Sequence, residues 1–238
     1  MEHYSKGIIF VHGIQGSPGQ FDFLTEKIPE GIYAKNILLP GHGASVKEFR
    51  QTGGEQWKKV VLEECRKAKK QCDKLFFVGH SMGCLLGMLT EQEQELFSGM
   101  LLICCPFYVF PTYRYWRNNF WSLCLKGKTN DPFIRAAWEA NSVSARHAVS
   151  YLFCVHPYME LFRLMRSVKK EKIDLPPKTV FCFSEKDEIV HRRSIAYADR
   201  IRKDKAVILP GSGHNYFTAE SKEKLGQILQ ELAEIKKI

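Results

Sequence analysis

"VGHSMGC", residues 78–84, holds one serine between two glycines at the point where the apolar run Leu75–Val78 ends and a second apolar pattern begins at Met82. An apolar run closed by glycine reads as a strand buried on both faces, and "MGCLLGMLTEQEQ" reads as a helix. The residue joining them must turn the chain sharply. Gly79 and Gly83 remove the side chains that would collide around that turn, so Ser81 is presented at a strand end. Outward from it the same rhythm repeats. "GIIFVHG" (7–13), "YAKNILLPG" (33–41), "FSGMLLICC" (97–105), "KTVFCF" (178–183) and "AVIL" (206–209) read as further strands. Helical patterns fall between them: Phe21, Leu24 and Ile28 after Ser17-Pro18, then Trp57, Val60, Val61, Cys65 and Ala68. Leu225, Ile228, Leu229 and Leu232 place one apolar helical face in the tail. The expected fold is α/β, a mainly parallel sheet of about six strands joined by crossover helices.

The alternation stops between residues 106 and 176. "NDPFIRAAWEAN" offers Asp131 as an N-cap before Pro132, and "HPYMELFRLMRSVKK" repeats the pattern with Pro157. A small helical cap inserted after the fourth strand is expected at 106–176, with 1–105 and 177–238 forming the core. This insert also carries most of the positive surplus, 11 basic against 5 acidic residues within a net charge of +9, and 14 of the 29 aromatic side chains. Basic charge among aromatics suits either a nucleic-acid surface or an apolar pocket with a charged rim. No zinc-finger, RNP-like or helix-turn-helix signature accompanies it, so no nucleic-acid partner is expected.

Eight cysteines invite a disulfide framework, yet Cys104, Cys105 and Cys182 lie in strand-like runs, and no CxxC occurs. Free, mostly buried thiols are expected. The first residues enter an apolar strand directly, without the order of a secretory signal, and a cytoplasmic location is the expectation. No HExxH or comparable spacing points to a metal, and no cofactor is expected.

Ligands of an open parallel sheet bind beyond the carboxyl ends of its strands. Ser81, Asp187 and His214 leave such ends, in the chain order of a nucleophile elbow with its acid and base. A histidine nitrogen can take the serine proton while a carboxylate on the other ring nitrogen fixes the tautomer. The helix after Ser81 aims its N-terminal amides at that point, making Met82 a candidate oxyanion donor. The Ile14 amide in "HGIQG" is the second. Glu185 and Glu188 lie close to Asp187, and the D-x-x-V spacing to Val190 favours Asp187 as the acid. His12 and His80 are expected to pack or hydrogen-bond locally, and His42 to organise a loop near the site.

These pieces, "FVHGIQGSP", "LLPGHG", "VGHSMGC", "SEKDEIV" and "GSGHNYF", resemble the α/β-hydrolase superfamily, and within it small bacterial carboxylesterases and monoacylglycerol lipases. The resemblance implies Ser81 as nucleophile, Asp187 and His214 as its partners, the Ile14 and Met82 amides as oxyanion donors, and a helical cap. Cys84 stands where relatives commonly carry glycine, and a packing role is expected for it. The reaction expected is cleavage of a small carboxylic ester with an apolar acyl group, such as a monoacylglycerol or another short-to-medium-chain ester. Thioesterase, aminopeptidase and carbon-carbon hydrolase chemistry would use the same three residues, and a non-catalytic basic binding module is the remote alternative. Phe107, Tyr108, Phe110, Trp116, Trp138 and Phe162 are the substrate-binding candidates of the cap. Tyr113, Trp121, Tyr151, Phe153, Met159 and Met165 join them as further aromatic or apolar cover. The basic surplus suits weak association with anionic lipid surfaces, and either a monomer or a homodimer fits.

Overall fold

The central apolar runs become strands because they lose both faces to helices. Ile8–Val11 of β1 (Tyr4–Val11) and Leu75–Val78 of β3 (Cys72–His80) are all at most 1% exposed. Burying each such side chain favours folding by about 1.5–3 kcal/mol. The computed structural model describes residues 3–145, 150, 154–171, 173–202 and 205–235. The other strands are β2 (Tyr33–Ile37), β4 (Gly99–Ile103), β5 (Lys178–Ser184) and β6 (Val207–Leu209). Among the described residues these six form one sheet in the order β2-β1-β3-β4-β5-β6, and every adjacent pair is parallel. The chain runs outward from β1 to β2, then returns to the other side of β1 with β3 and continues away. The crevice of the sheet therefore opens between the carboxyl ends of β1 and β3.

Helix α1 (Asp22–Thr25) packs with α9 (Ala219–Leu232), while α3 (Gly54–Lys69) packs with α4 (Met82–Gln94). A short α2 (Val46–Phe49) starts on a capping box between Ser45 and Glu48, and α8 (Arg193–Arg202) leans on β5. Helix α4 lies unusually close to the sheet. A methyl group on Gly83 would come within 2.0 Å of the Val11 carbonyl oxygen, and one on Gly87 within 2.2 Å of the Phe77 ring. Only glycine lets the helix start there.

The helix expected from Ser17 is broken. A 3₁₀ turn at Pro18–Phe21 precedes the single turn of α1. Two bonds hold the segment off a helical path: Gln20 Oε1 accepts from the Gly13 amide, and the Pro18 carbonyl accepts from Asn36 Nδ2. Strand β2 also ends at Ile37, short of the expected Gly41, as the chain turns to offer the Pro40 carbonyl to Trp57 Nε1.

Between β4 and β5 run α5 (Tyr113–Leu125), α6 (Pro132–Ala140) and α7 (Val155–Lys170). Asp131 caps α6 as expected, its Oδ1 accepting from the amides of Phe133 (2.9 Å) and Ile134 (3.3 Å). Helix α7 begins two residues before Pro157, which its first turn tolerates because amides there need no intrahelical acceptor. Helices α5 and α6 pack on each other, whereas α7 lays Leu161, Leu164, Met165 and Val168 against α3 and α4.

Candidate active site

Ser81 has φ 51° and ψ −119°, a conformation costly for any residue with a side chain. Its amide donates to the Ile103 carbonyl (2.9 Å) at the end of β4, and its carbonyl accepts from the Cys84 amide (3.0 Å). Those two bonds hold the turn from β3 into α4. The Cys84 thiol sits beneath it, donating to the carbonyls of Gly79 (3.2 Å) and Ile103 (3.3 Å). Cys84 therefore packs and ties the turn, and burial pushes its thiol well up, away from thiolate chemistry.

The loops after β5 and β6 bring the other two side chains to the serine. His214 Nε2 lies 3.0 Å from Ser81 Oγ, and His214 Nδ1 lies 2.9 Å from Asp187 Oδ2. All three residues are nearly closed off from solvent. Asp187 Oδ1 accepts from the amides of Ile189 and Val190, each at 2.8 Å, which is the physical content of the D-x-x-V spacing. The two neighbouring carboxylates have other tasks. Glu185 accepts from the Gly211 amide, and buried Glu188 accepts from the His214 amide at 2.8 Å and from Asn118 Nδ2 of α5 at 3.4 Å. Glu188 thus ties the histidine loop to α5, a link with no signal in the sequence beyond its adjacency to Asp187.

Electrostatics single out one histidine. Burial, the largest cause in each case, pushes His12 and His80 down to about 3 and His42 down to about 4. Burial also opposes the charged form of His214. There the charge and hydrogen bond of Asp187, with the charge of Glu188, outweigh it and raise the pKa above its ordinary value. Burial likewise works against the Asp187 carboxylate, but His214 and the two backbone amides hold it below the usual range. Among these four buried imidazoles only His214 is shifted upward.

The remaining histidines fix backbone. His12 Nε2 accepts from the Leu39 amide (3.1 Å), so its proton is on Nδ1 and is donated to the Gly13 carbonyl (2.8 Å). That carbonyl also accepts from the Gly16 amide. In a planar trans peptide the N–H points opposite to the C=O, so anchoring Gly13 O turns the Ile14 N–H the other way. The same logic applies at the elbow, where the Ser81 carbonyl bonded to Cys84 turns away the Met82 N–H. Gly13 packs against the Ser81 Cβ, leaving 3.0 Å for any side chain it might carry. Ile14 lines the cavity beside the serine, and Met82 directly follows it in the chain. His80 Nε2 bonds to the His214 carbonyl at 2.9 Å, and its ring packs against that of His214. His42 bonds to the Pro40 carbonyl and stacks among His12, Phe49 and Trp57.

Among the described residues, one group of possible metal ligands comes together, His80, Cys104 and His214. Both ring nitrogens of His214 are already committed, to Ser81 and Asp187, and burial pushes the Cys104 thiol well up. These donors are arranged for hydrogen bonding.

A cavity of about 130 Å³ opens over Ser81. Of the six cap candidates, Phe162 lines it and the other five do not. Phe107 is fully buried in the core against Phe181 and Tyr197, and Tyr108 packs on Tyr197 under the Lys169 ammonium. Phe110 and Trp116 point to solvent, 69% and 63% exposed, and Trp138 covers Gly127. Tyr113, Trp121 and Met159 are also exposed, Met165 is buried against the core, and Tyr151 and Phe153 lie outside the described residues. The cap side of the cavity is made instead by Tyr115, Asn119, Ala137, Ala140, Tyr158 and Leu161. Tyr115 and Asn119 stand four apart on α5, one helical face, while Tyr113, Trp116 and Phe120 share the opposite, solvent-facing side. The spacing was available in the sequence, but the usual assignment of the aromatic stripe to the interior is reversed on this helix.

Such a sheet, with a strained serine at the end of its third strand and a histidine and carboxylate behind it, defines the α/β-hydrolase architecture. The alpha/beta hydrolase family model matches residues 8–225, and the chain belongs to that family of hydrolytic enzymes. Several solved structures share the fold at low identity. A monoacylglycerol lipase from Paleococcus ferrophilus is 15% identical with a TM-score of 0.69, covering 99% of this chain and 97% of its own. The metagenome-derived lipolytic enzymes LipS and LipT are represented at 15% identity and a TM-score of 0.68, covering 98% and 95%. A soluble variant of monoglyceride lipase from Saccharomyces cerevisiae is 14% identical with a TM-score of 0.67, covering 100% and 89%. Comparison with curated protein sequences gives no match. No helix among the described residues is long and apolar enough to cross a membrane.

Proposed function

We propose that this protein is a serine hydrolase that cleaves small carboxylic esters through an acyl-enzyme. The observation that carries the reading is the row Ser81 Oγ, His214 Nε2, His214 Nδ1, Asp187 Oδ2, with separations of 3.0 and 2.9 Å. As Ser81 Oγ bonds to the ester carbonyl carbon, its proton passes to His214 Nε2, and the carbonyl oxygen becomes an oxyanion received by the Ile14 and Met82 amides. The tetrahedral intermediate collapses by breaking the bond to the alcohol oxygen, which takes the proton from His214. Water then repeats the sequence and frees the acid. Asp187 holds the imidazole in the tautomer that keeps Nε2 free for the serine proton, and stabilises the imidazolium. Residues 106–176 serve as the cap, with α7 as its anchor on the core.

The test is a fluorophosphonate adduct located by mass spectrometry. It should fall on Ser81 alone, with hydrolysis of nitrophenyl esters lost in proportion to labelling. Residual hydrolysis in fully labelled protein would remove the proposal.

The pH dependence follows from the His214 shift. The base must be neutral to accept the serine proton, and its pKa is raised, so kcat/KM should fall tenfold per pH unit below a midpoint above 6.5, the ordinary histidine value. A flat rate from pH 8 to pH 5 would show that another group activates the nucleophile.

The outer face of the cap supports association with an anionic lipid surface. Phe110, Tyr113, Trp116, Phe120 and Trp121 are exposed, and the stretch 106–130 contains Arg114, Arg117, Lys126 and Lys128 with no acidic residue. The protein should float with vesicles containing phosphatidylserine and stay behind with phosphatidylcholine alone. Replacing Trp116 and Phe120 by serine should abolish flotation.

A further inference from the structure

The cavity over Ser81 is small and mostly apolar, with a few uncharged polar side chains set into it. Gln15, Gln20, Asn119, Asn141, Asn215 and the two tyrosines contribute these, and among the described residues no Lys, Arg, Asp or Glu side chain lines it. At about 130 Å³ it is close to the ~150 Å³ of an engineered cavity that holds benzene, so it receives roughly six heavy atoms.

One member has donors to spare. The Tyr158 hydroxyl donates to Gln15 Oε1 at 2.9 Å. That bond orients the Gln15 carboxamide with its oxygen toward Tyr158. The Nε2 protons then face the other way, and no acceptor among the described residues takes them. Gln15 is itself held in place: it has φ 58°, and its carbonyl accepts from the Ser142 amide at 2.7 Å. It directly follows Ile14, the candidate oxyanion donor, so its side chain starts one residue from where the substrate carbonyl oxygen would lie.

We propose that Gln15, oriented by Tyr158, selects substrates with a short, uncharged acyl group that carries a hydrogen-bond acceptor close to the carbonyl. The inference rests on the acyl-transfer reading above and narrows its substrate. An acyl group of alkyl carbons alone covers the Gln15 donors without pairing them, whereas an ether or keto oxygen satisfies one of them. A cavity of the same size without the carboxamide would not make that distinction.

The experiment compares nitrophenyl methoxyacetate with nitrophenyl butyrate, which differ by one ether oxygen in place of a methylene. Each kcat/KM is divided by the rate constant for alkaline hydrolysis of the same ester, which removes the intrinsic reactivity of the ether compound. The expected normalised preference for methoxyacetate is roughly fivefold, the worth of one neutral hydrogen bond. It should fall to about one in Gln15→Met, and toward one in Tyr158→Phe, which keeps Gln15 but removes the hydroxyl that orients it. Fluorophosphonate labelling of Ser81 in both variants reports that the site is folded, and if Gln15→Met does not fold, Tyr158→Phe carries the comparison. A normalised ratio of one in the natural sequence, or a preference that persists in the variants, overturns the proposal. So does a larger preference for glycolyl over methoxyacetyl esters, which would mean that Gln15 presents its oxygen. Absence of both labelling and hydrolysis would instead remove the acyl-transfer reading on which this one stands.

Discussion

Ser81→Ala should lower ester turnover by a factor on the order of 10⁶, measured as kcat with a nitrophenyl ester under saturating conditions. The substitution deletes one oxygen and nothing else that carries chemistry. The backbone strain at φ 51° is borne by any residue with a Cβ, and the elbow is held by the bonds from Ser81 N to Ile103 and from Cys84 N to Ser81, which alanine retains. Alanine removes the hydrogen bond between Ser81 Oγ and His214 Nε2, so the unfolding free energy should change by no more than about 1.5 kcal/mol. The paired measurement matters, since a drop in activity with a matching drop in stability would say only that the protein unfolds. Retention of more than about a thousandth of the activity with the fold intact would make Ser81 something other than the nucleophile.

Asp187→Asn should cost about 10⁴ in kcat, by a route that can be traced atom by atom. The amides of Ile189 and Val190 both donate to Oδ1, so an asparagine must put its carbonyl oxygen there. Its NH₂ then occupies the place of Oδ2, 2.9 Å from His214 Nδ1, and presents a donor where an acceptor stood. The imidazole answers by moving its proton to Nε2, and Nε2 can no longer accept from Ser81. With the carboxylate gone, burial becomes the dominant influence on His214, and the acid limb of the residual activity should move to lower pH. Glu185→Gln and Glu188→Gln should each cost less than about tenfold, because both side chains reach backbone amides and a glutamine oxygen can replace theirs. A loss at Glu188 as large as that at Asp187 would reassign the acid.

The order of elements was legible because parallel strands buried on both faces must be nearly continuous in apolar residues, as Ile8–Val11 and Leu75–Val78 are. The residues that meet at the sheet's carboxyl edge were legible for a related reason. A strand end, an elbow and two short loops fix where a side chain goes within a few residues, so Ser81, Asp187 and His214 stand out by position as well as by type. Residues 106–176 have no sheet to frame them, and their aromatic residues divide among the core, the solvent and the cavity, as Phe107, Trp116 and Phe162 do.

Sequence by itself determined the fold, the serine turn and the spacing that sets two backbone amides on Asp187, since each depends on local sterics and on residues near in the chain. Tertiary structure alone decided which way the imidazoles carry their protons, that Glu188 joins the histidine loop to α5, and that a small, mostly apolar cavity carries amides and phenols in its wall. Those properties arise from groups far apart in sequence, such as Gln15 and Tyr158, whose hydrogen bond exists only after the sheet and the cap have been brought together.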